Sequence, residues 1–155
     1  MIFGIFEIDV IYTLPVLTAF LFALGGSGAL SIRRIGVPLA VSLYAWGYGA
    51  SFISLLIYFI HQFLILGLGY GDEAERKLGK LYWPYIFILG TLYGLCQFGL
   101  ALHFGGWVSF LVWSLSGGLV FLAGLYSSKK FGLPHKAFEI ITGGSLGLTA
   151  ALIIH

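Results

Sequence analysis

Residues 33–38 read RRIGVP, and the chain repeats this pattern twice between long apolar runs. Residues 129–134 read KKFGLP, and residues 76–79 read RKLG without the proline. Two basic residues followed by an apolar residue and a glycine are typical of a polar turn. We therefore interpret the three copies as the water-side turns of three helical hairpins. The three copies contain six basic residues: Arg33, Arg34, Arg76, Lys77, Lys129 and Lys130. The other two basic residues of the sequence, Lys80 and Lys136, lie close to the second and third copies.

The composition indicates a membrane protein. The 155 residues are 59% hydrophobic and 9% charged, with a mean hydropathy of +1.01, whereas soluble domains carry about 25% charged residues. Apolar runs reach the ~18–20 residues that cross a hydrocarbon core, and the short alternating segments of a transmembrane barrel are absent. We predict an all-α, polytopic integral membrane protein with a single transmembrane domain over residues 1–155, embedded in the lipid bilayer.

The same composition excludes several functional classes. The basic residues are few and confined to turns, so the basic stripe of a nucleic-acid-binding face is missing. Cys96 is the only cysteine, which rules out an internal disulfide and cysteine-based metal motifs. Phosphate-binding loops, nucleophile elbows, dinucleotide fingerprints and the H-E-x-x-H spacing are also absent. We predict no cofactor and no metal, and we favour a non-enzymatic protein.

The number of crossings depends on the apolar run over residues 37–68, which is interrupted by WGYGAS at residues 46–51. As one helix the run would be about 48 Å long, more than a tilted span needs, and the chain would have five spans. If WGYGAS is a turn, there are six segments and all basic turns lie on one side, as the positive-inside rule favours. The predicted segments are residues 9–24, 37–46, 52–68, 82–102, 107–126 and 136–154.

The six-segment arrangement carries predictions about orientation and about its own short second segment. The basic turns are then cytoplasmic, and both termini are non-cytoplasmic. The first span is expected to be retained, because residues 1–10 contain Glu7 and Asp9 but no basic residue of a secretory signal. Residues 34–47 form only ~21 Å of helix, so this segment either thins the bilayer or is re-entrant.

Four polar residues within apolar runs are the candidates for a substrate or ion path: His61, Gln62, Gln97 and Glu139. A charge inside a membrane costs about 2.5–3 kcal/mol, so such residues are functional candidates. A neutral imidazole at the depth of His61 suits proton transfer or ligand binding; its plainer role is a hydrogen bond to a neighbouring helix. Glu139 is more simply explained as a headgroup-level carboxylate beside a helix N-terminus. We assign the basic turns to topology or to lipid-headgroup binding.

Three functions fit these features. The first is a non-enzymatic membrane protein that assembles with itself or with a membrane-protein partner, because GTLYG at residues 90–94 and GGSLG at residues 143–147 give small helix faces. Such faces serve packing either within one chain or between copies. The second is a pore, transporter or holin-like permeabilising protein, with His61, Gln62 and the WGYG break lining the path. The third and least favoured is a lipid-headgroup enzyme that uses Glu139 and the basic turns.

Overall fold

The computed structural model describes residues 10–24, 32–132 and 134–154, and within these ranges the chain is helical without strands. The expected aqueous tail with Glu7 and Asp9 lies outside the described residues. A single 3₁₀ turn, Gly79–Leu81, joins α4 to α5. The helices are α1 (Val10–Leu24), α2 (Ile32–Gly47), α3 (Phe52–Leu66), α4 (Asp72–Leu78), α5 (Tyr82–Leu95), α6 (Phe98–Phe104), α7 (Trp107–Phe131) and α8 (His135–Ile154).

These helices confirm the predicted class of all-α polytopic membrane protein. Three helical stretches are long and apolar enough to cross a bilayer, namely Asp72–Phe104, Trp107–Phe131 and Ala137–Ile154. Two shorter apolar helices, Tyr12–Leu24 and Phe52–Leu66, accompany them. With α2 they make six segments, and α4 is the short surface helix that precedes the fourth.

The WGYGAS stretch is a turn, so the alternative of one long helix is wrong. α2 ends at Gly47, and Gly49 then adopts φ +89°, a left-handed conformation that favours glycine. Ser51 caps the next helix, its hydroxyl accepting a hydrogen bond of 3.3 Å from the Ser54 amide. α2 has 16 residues, about 24 Å of helix. Arg34 Nε, at the start of α2, donates to the Phe63 carbonyl near the end of α3, 2.8 Å away. α2 therefore runs antiparallel along α3 over its whole length and is not a re-entrant segment.

The basic residues share one end of the bundle, which we name the basic end. Arg33 and Arg34 lie in the first turn of α2, Arg76 and Lys77 in α4, and Lys129 and Lys130 in the last turn of α7. The sequence had suggested that these basic residues form the turns. In the structure they lie within the ends of helices instead. At the opposite end, the Ser51 amide donates to His103 Nδ1 over 3.3 Å and joins the two outer turns.

The closest helix pairs are α1 with α8 and α5 with α7, and both depend on glycine. A Cβ on Gly94 would lie 2.6 Å from Ser114 Cα of α7, and one on Gly143 would lie 2.6 Å from the Thr18 carbonyl oxygen of α1. Small residues let helix backbones approach this closely in lipid. The two glycine faces predicted from the sequence are thus occupied within the chain: one packs between the consecutive fourth and fifth segments, and the other between the first and last helices.

Candidate functional site

Two glutamines are fully buried inside the bundle, one on α3 and one at the junction of α5 and α6. The residues before them, His61 and Cys96, line one cleft of ≈ 180 Å³ on the outer surface between α3 and α5. Gln62 and Gln97 each follow directly and turn inward, where both are 0% exposed. Because the preceding residues meet in one cleft, we place the two amides at one level behind the seam between the helices.

Neither amide has a hydrogen-bond partner. The Oε1 and Nε2 atoms of Gln62 and of Gln97 are buried, and no described group hydrogen-bonds any of the four. An unsatisfied buried polar group costs about 1–3 kcal/mol, and the hydrocarbon around a membrane bundle supplies no water to reduce that penalty. Each amide presents one acceptor oxygen and two N–H donors. This pair is therefore the part of the described bundle best suited to receive a small polar ligand.

The helix breaks where Gln97 lies. α5 ends at Leu95 and α6 begins at Phe98, and the backbone N–H of Gln97 donates to the Gly94 carbonyl over 3.1 Å, a tightened i−3 contact. A single span over residues 82–102 was predicted, so the sequence interpretation missed this break. The local sequence signal for the break is the pair of glycines on either side of it, Gly94 and Gly99. Interrupted helices within a bilayer are frequent binding elements in transport proteins.

A small crevice with a mainly apolar lining lies between α5, α7 and α8. Its volume is ≈ 50 Å³, and Tyr93 on α5 lines it one turn before Gln97. Three α8 hydroxyl residues at spacing i, i+3, i+7 face it from the other side. These residues are Thr142, Ser145 and Thr149. The sequence analysis did not select them as site residues, although their spacing places them on one face of the helix.

The four residues predicted to share a path are therefore divided among three places. His61 is exposed on the outer surface, while Gln62 and Gln97 are interior. Glu139 lies at the basic end, where its Oε1 is 3.0 Å from Arg33 Nη2. The WGYG break is at the opposite end of the bundle, beside the Ser51–His103 contact. Of the four, only the two glutamines share one of these places, the interior of the bundle.

The basic end contains a second polar cluster, centred on Arg33. Its Nη1 donates to the Tyr70 hydroxyl over 3.0 Å, and its guanidinium lies 5.0 Å from the centre of the Phe22 ring. The Tyr82 hydroxyl in turn donates to the Tyr70 carbonyl over 2.5 Å. Burial raises the pKa of the Tyr70 phenol, so this side chain stays protonated at neutral pH. The cluster joins α1, α2, α5 and α8 through the loop before α4.

The other basic side chains divide into bound and exposed groups. Arg34 is 4.1 Å from the centre of the Phe63 ring and hydrogen-bonds the Phe63 carbonyl near the end of α3, where a positive charge is favourable. Lys129 pairs with Glu75 and lies 3.7 Å from Asp72, tying α7 to α4. The predicted headgroup role stays a prediction, and the exposed residues that suit it best are Arg76, Lys77 and Lys130.

Among the described residues, no three His, Cys, Asp or Glu side chains are grouped so that they could hold a metal ion. No family model, curated protein or solved structure matches the chain. The two buried glutamines are therefore the feature of the molecule from which a function can be inferred.

Proposed function

We propose that this chain is a small, non-enzymatic, multi-pass membrane protein whose interior binds a small neutral polar solute and lets it cross the bilayer. One observation supports this proposal above the others: two fully buried amides, Gln62 and Gln97, have no hydrogen-bond partner among the described residues for any of their polar atoms. In a bilayer that arrangement is unfavourable unless a polar guest supplies the missing hydrogen bonds.

The chemistry of the site favours a neutral guest. Each glutamine offers both donors and an acceptor and carries no charge. The charged side chains of the described helices lie at the basic end, so none would compensate an ion at the level of the amides, where a bare charge is expensive. The crevice between α5, α7 and α8, of ≈ 50 Å³, has room for a few water-sized groups, each of which needs about 10–15 Å³. Water and small neutral molecules such as urea meet these conditions.

We further propose that the basic end is cytoplasmic and that both termini lie on the other side of the membrane. The support is the collection of basic residues from α2, α4 and α7 at one end of the bundle, together with the preference of such residues for cytoplasmic loops.

Self-assembly, or assembly with a membrane-protein partner, stays a prediction. The observation that motivated it was the pair of glycine faces, and these pack against α1 and α7 of the same chain. A wide pore would need several copies, whereas the solute proposed here is small enough for the interior of one.

The experiment is solute flux into proteoliposomes, measured by stopped-flow light scattering with water and with urea. We expect permeation faster than in protein-free liposomes, and a return to the protein-free rate in Gln62→Leu and Gln97→Leu. His61→Leu is the matched control, because it removes a neighbouring polar side chain that points outward, and it should keep the flux. Wild-type protein no faster than empty liposomes, or two leucine variants with wild-type flux, would refute the proposal.

A further inference from the structure

An apolar cleft with one imidazole lies on the lipid-facing side of the seam between α3 and α5. It is a cleft of ≈ 180 Å³, slightly larger than the cavities of about 150 Å³ that accept benzene. Four aliphatic side chains, a thiol and one imidazole line it: Leu64, Ile65, Leu92, Leu95, Cys96 and His61. The cleft is therefore apolar, of the size of one ring, and supplied with a single strong hydrogen-bonding group.

His61 is unusual at this position. It is exposed, and it follows the central residue of Phe52–Leu66 by two positions, about 3 Å along the axis of α3. A neutral imidazole has one N–H donor and one acceptor nitrogen, and the cleft around it offers only a thiol, which is a weak donor and weak acceptor. Hydrocarbon satisfies neither group. The imidazole thus needs a partner that enters from the lipid.

The depth of His61 restricts what that partner is. The ester and phosphate groups of phospholipids lie at the interface, outside a hydrocarbon core of about 30 Å, and half that thickness separates them from the middle of α3. A partner at this depth has to dissolve in the membrane interior. It also has to present an acceptor to the imidazole N–H and a flat apolar body to the cleft.

We propose that the His61 cleft binds the ring of a lipid-soluble carbonyl compound of the quinone class, with a carbonyl oxygen accepting a hydrogen bond from the imidazole. The apolar tail of the ligand lies along the groove between α3 and α5 and continues into the lipid. This site is separate from the solute path, since it lies on the outer face of the helices whose inner face carries Gln62 and Gln97.

The test is NMR of the full chain in phosphatidylcholine nanodiscs, with ¹³Cε1-labelled histidine and decylubiquinone as the probe. The His61 signal, assigned by its loss in His61→Gln, should shift saturably with decylubiquinone. Decylbenzene, which has a ring and tail but no acceptor, should not produce that shift. His103 at the outer end of the bundle is the internal control and should stay in place.

Two variants distinguish binding of the probe in the cleft from its partitioning into the bulk lipid. Leu92→Trp fills the cleft and should abolish the shift, and Leu64→Phe is the second choice, since Leu64 is 55% exposed and tolerates a larger side chain. Neither touches the buried glutamines, so both should keep the solute flux of the wild type. A His61 signal that does not move, that moves equally with decylbenzene, or that still shifts in the filled variants would overturn the inference.

Discussion

Arg33 Nη2 lies 3.0 Å from Glu139 Oε1, and this ion pair joins the first turn of α2 to α8 with side chains only 12% and 9% exposed. The two residues are separated by 106 positions in the sequence, so the pair forms only when the bundle closes. Tyr70 and the Phe22 ring complete the surroundings of the guanidinium. The basic end is consequently held by a specific polar contact as well as by apolar packing.

Breaking this pair should destabilise the protein strongly. Glu139→Leu leaves the Arg33 charge buried without its carboxylate, a change that costs about 3–5 kcal/mol in buried pairs. Unfolding can be followed with a thiol-reactive dye, because the only cysteine, Cys96, is 3% exposed in the folded protein. We expect a clear fall in Tm.

The matched control is Lys77→Leu, which breaks the exposed Glu73–Lys77 pair of α4, whose side chains are 72% and 69% exposed. Exposed pairs contribute little to stability, so Tm should hardly change. Replacing Arg33 and Glu139 together with apolar residues should recover part of the loss. Equal Tm values for Glu139→Leu and Lys77→Leu would contradict the assigned role of the buried pair.

Two glycines of one motif on α8 should respond oppositely to alanine. A Cβ on Gly147 would lie 2.7 Å from Pro15 Cα and 2.8 Å from the Leu14 carbonyl oxygen, and it would also meet the Thr18 hydroxyl. Gly147→Ala should therefore push α1 away from α8 and cost about 1–3 kcal/mol.

A Cβ on Gly144 has its nearest neighbour 3.8 Å away, which is ordinary contact distance. Gly144→Ala should then be neutral or raise the stability slightly, since alanine favours helix by about 1 kcal/mol over glycine. The dye-based Tm of the two variants checks this. If both variants lose the same stability, the close approach of α1 and α8 is not the cause.

The sequence predicted segments and ends better than it predicted the site. The boundaries at Gly47 and Phe52 follow from local signals, namely a glycine-rich turn and the cap of α3. Neighbouring residues alone are therefore sufficient to predict them. The pairing of α1 with α8 joins the two most distant helices in the chain, and periodicity says nothing about such a contact. The direction of a side chain around a helix was equally hidden: His61 and Gln62 are adjacent in sequence but face lipid and interior respectively.

The buried glutamines should reduce stability in exchange for binding. Gln97→Leu removes two polar atoms that have no partner, and the leucine fits an apolar interior. In detergent without urea the variant should be more stable than the wild type, by at most about 1–3 kcal/mol, the full penalty of an unsatisfied buried group, and by less where water already hydrogen-bonds the amide. The dye assay measures Tm, and the same preparation tests flux.

The informative comparison is with Leu100→Ala, a change at a 0% exposed aliphatic residue three positions further on. It should lower the stability by about 2–5 kcal/mol through a cavity. A fall in Tm for Gln97→Leu comparable to that for Leu100→Ala would mean that the amide makes stabilising contacts, and the polar-ligand argument would fail.

The proposed orientation predicts which ends of the bundle a water-soluble thiol reagent reaches from outside the cell. On a Cys96→Ala background, Ser51→Cys places a thiol at an exposed position in the outer turn, and Lys80→Cys places one at the exposed basic end. With intact cells, a membrane-impermeant maleimide should label Ser51→Cys and leave Lys80→Cys unlabelled, and lysis should expose both. The opposite pattern would place the basic residues of α2, α4 and α7 outside, against the preference that such residues show for cytoplasmic loops. Because each variant serves as the control of the other, unequal expression or poor folding of one cannot reproduce either pattern.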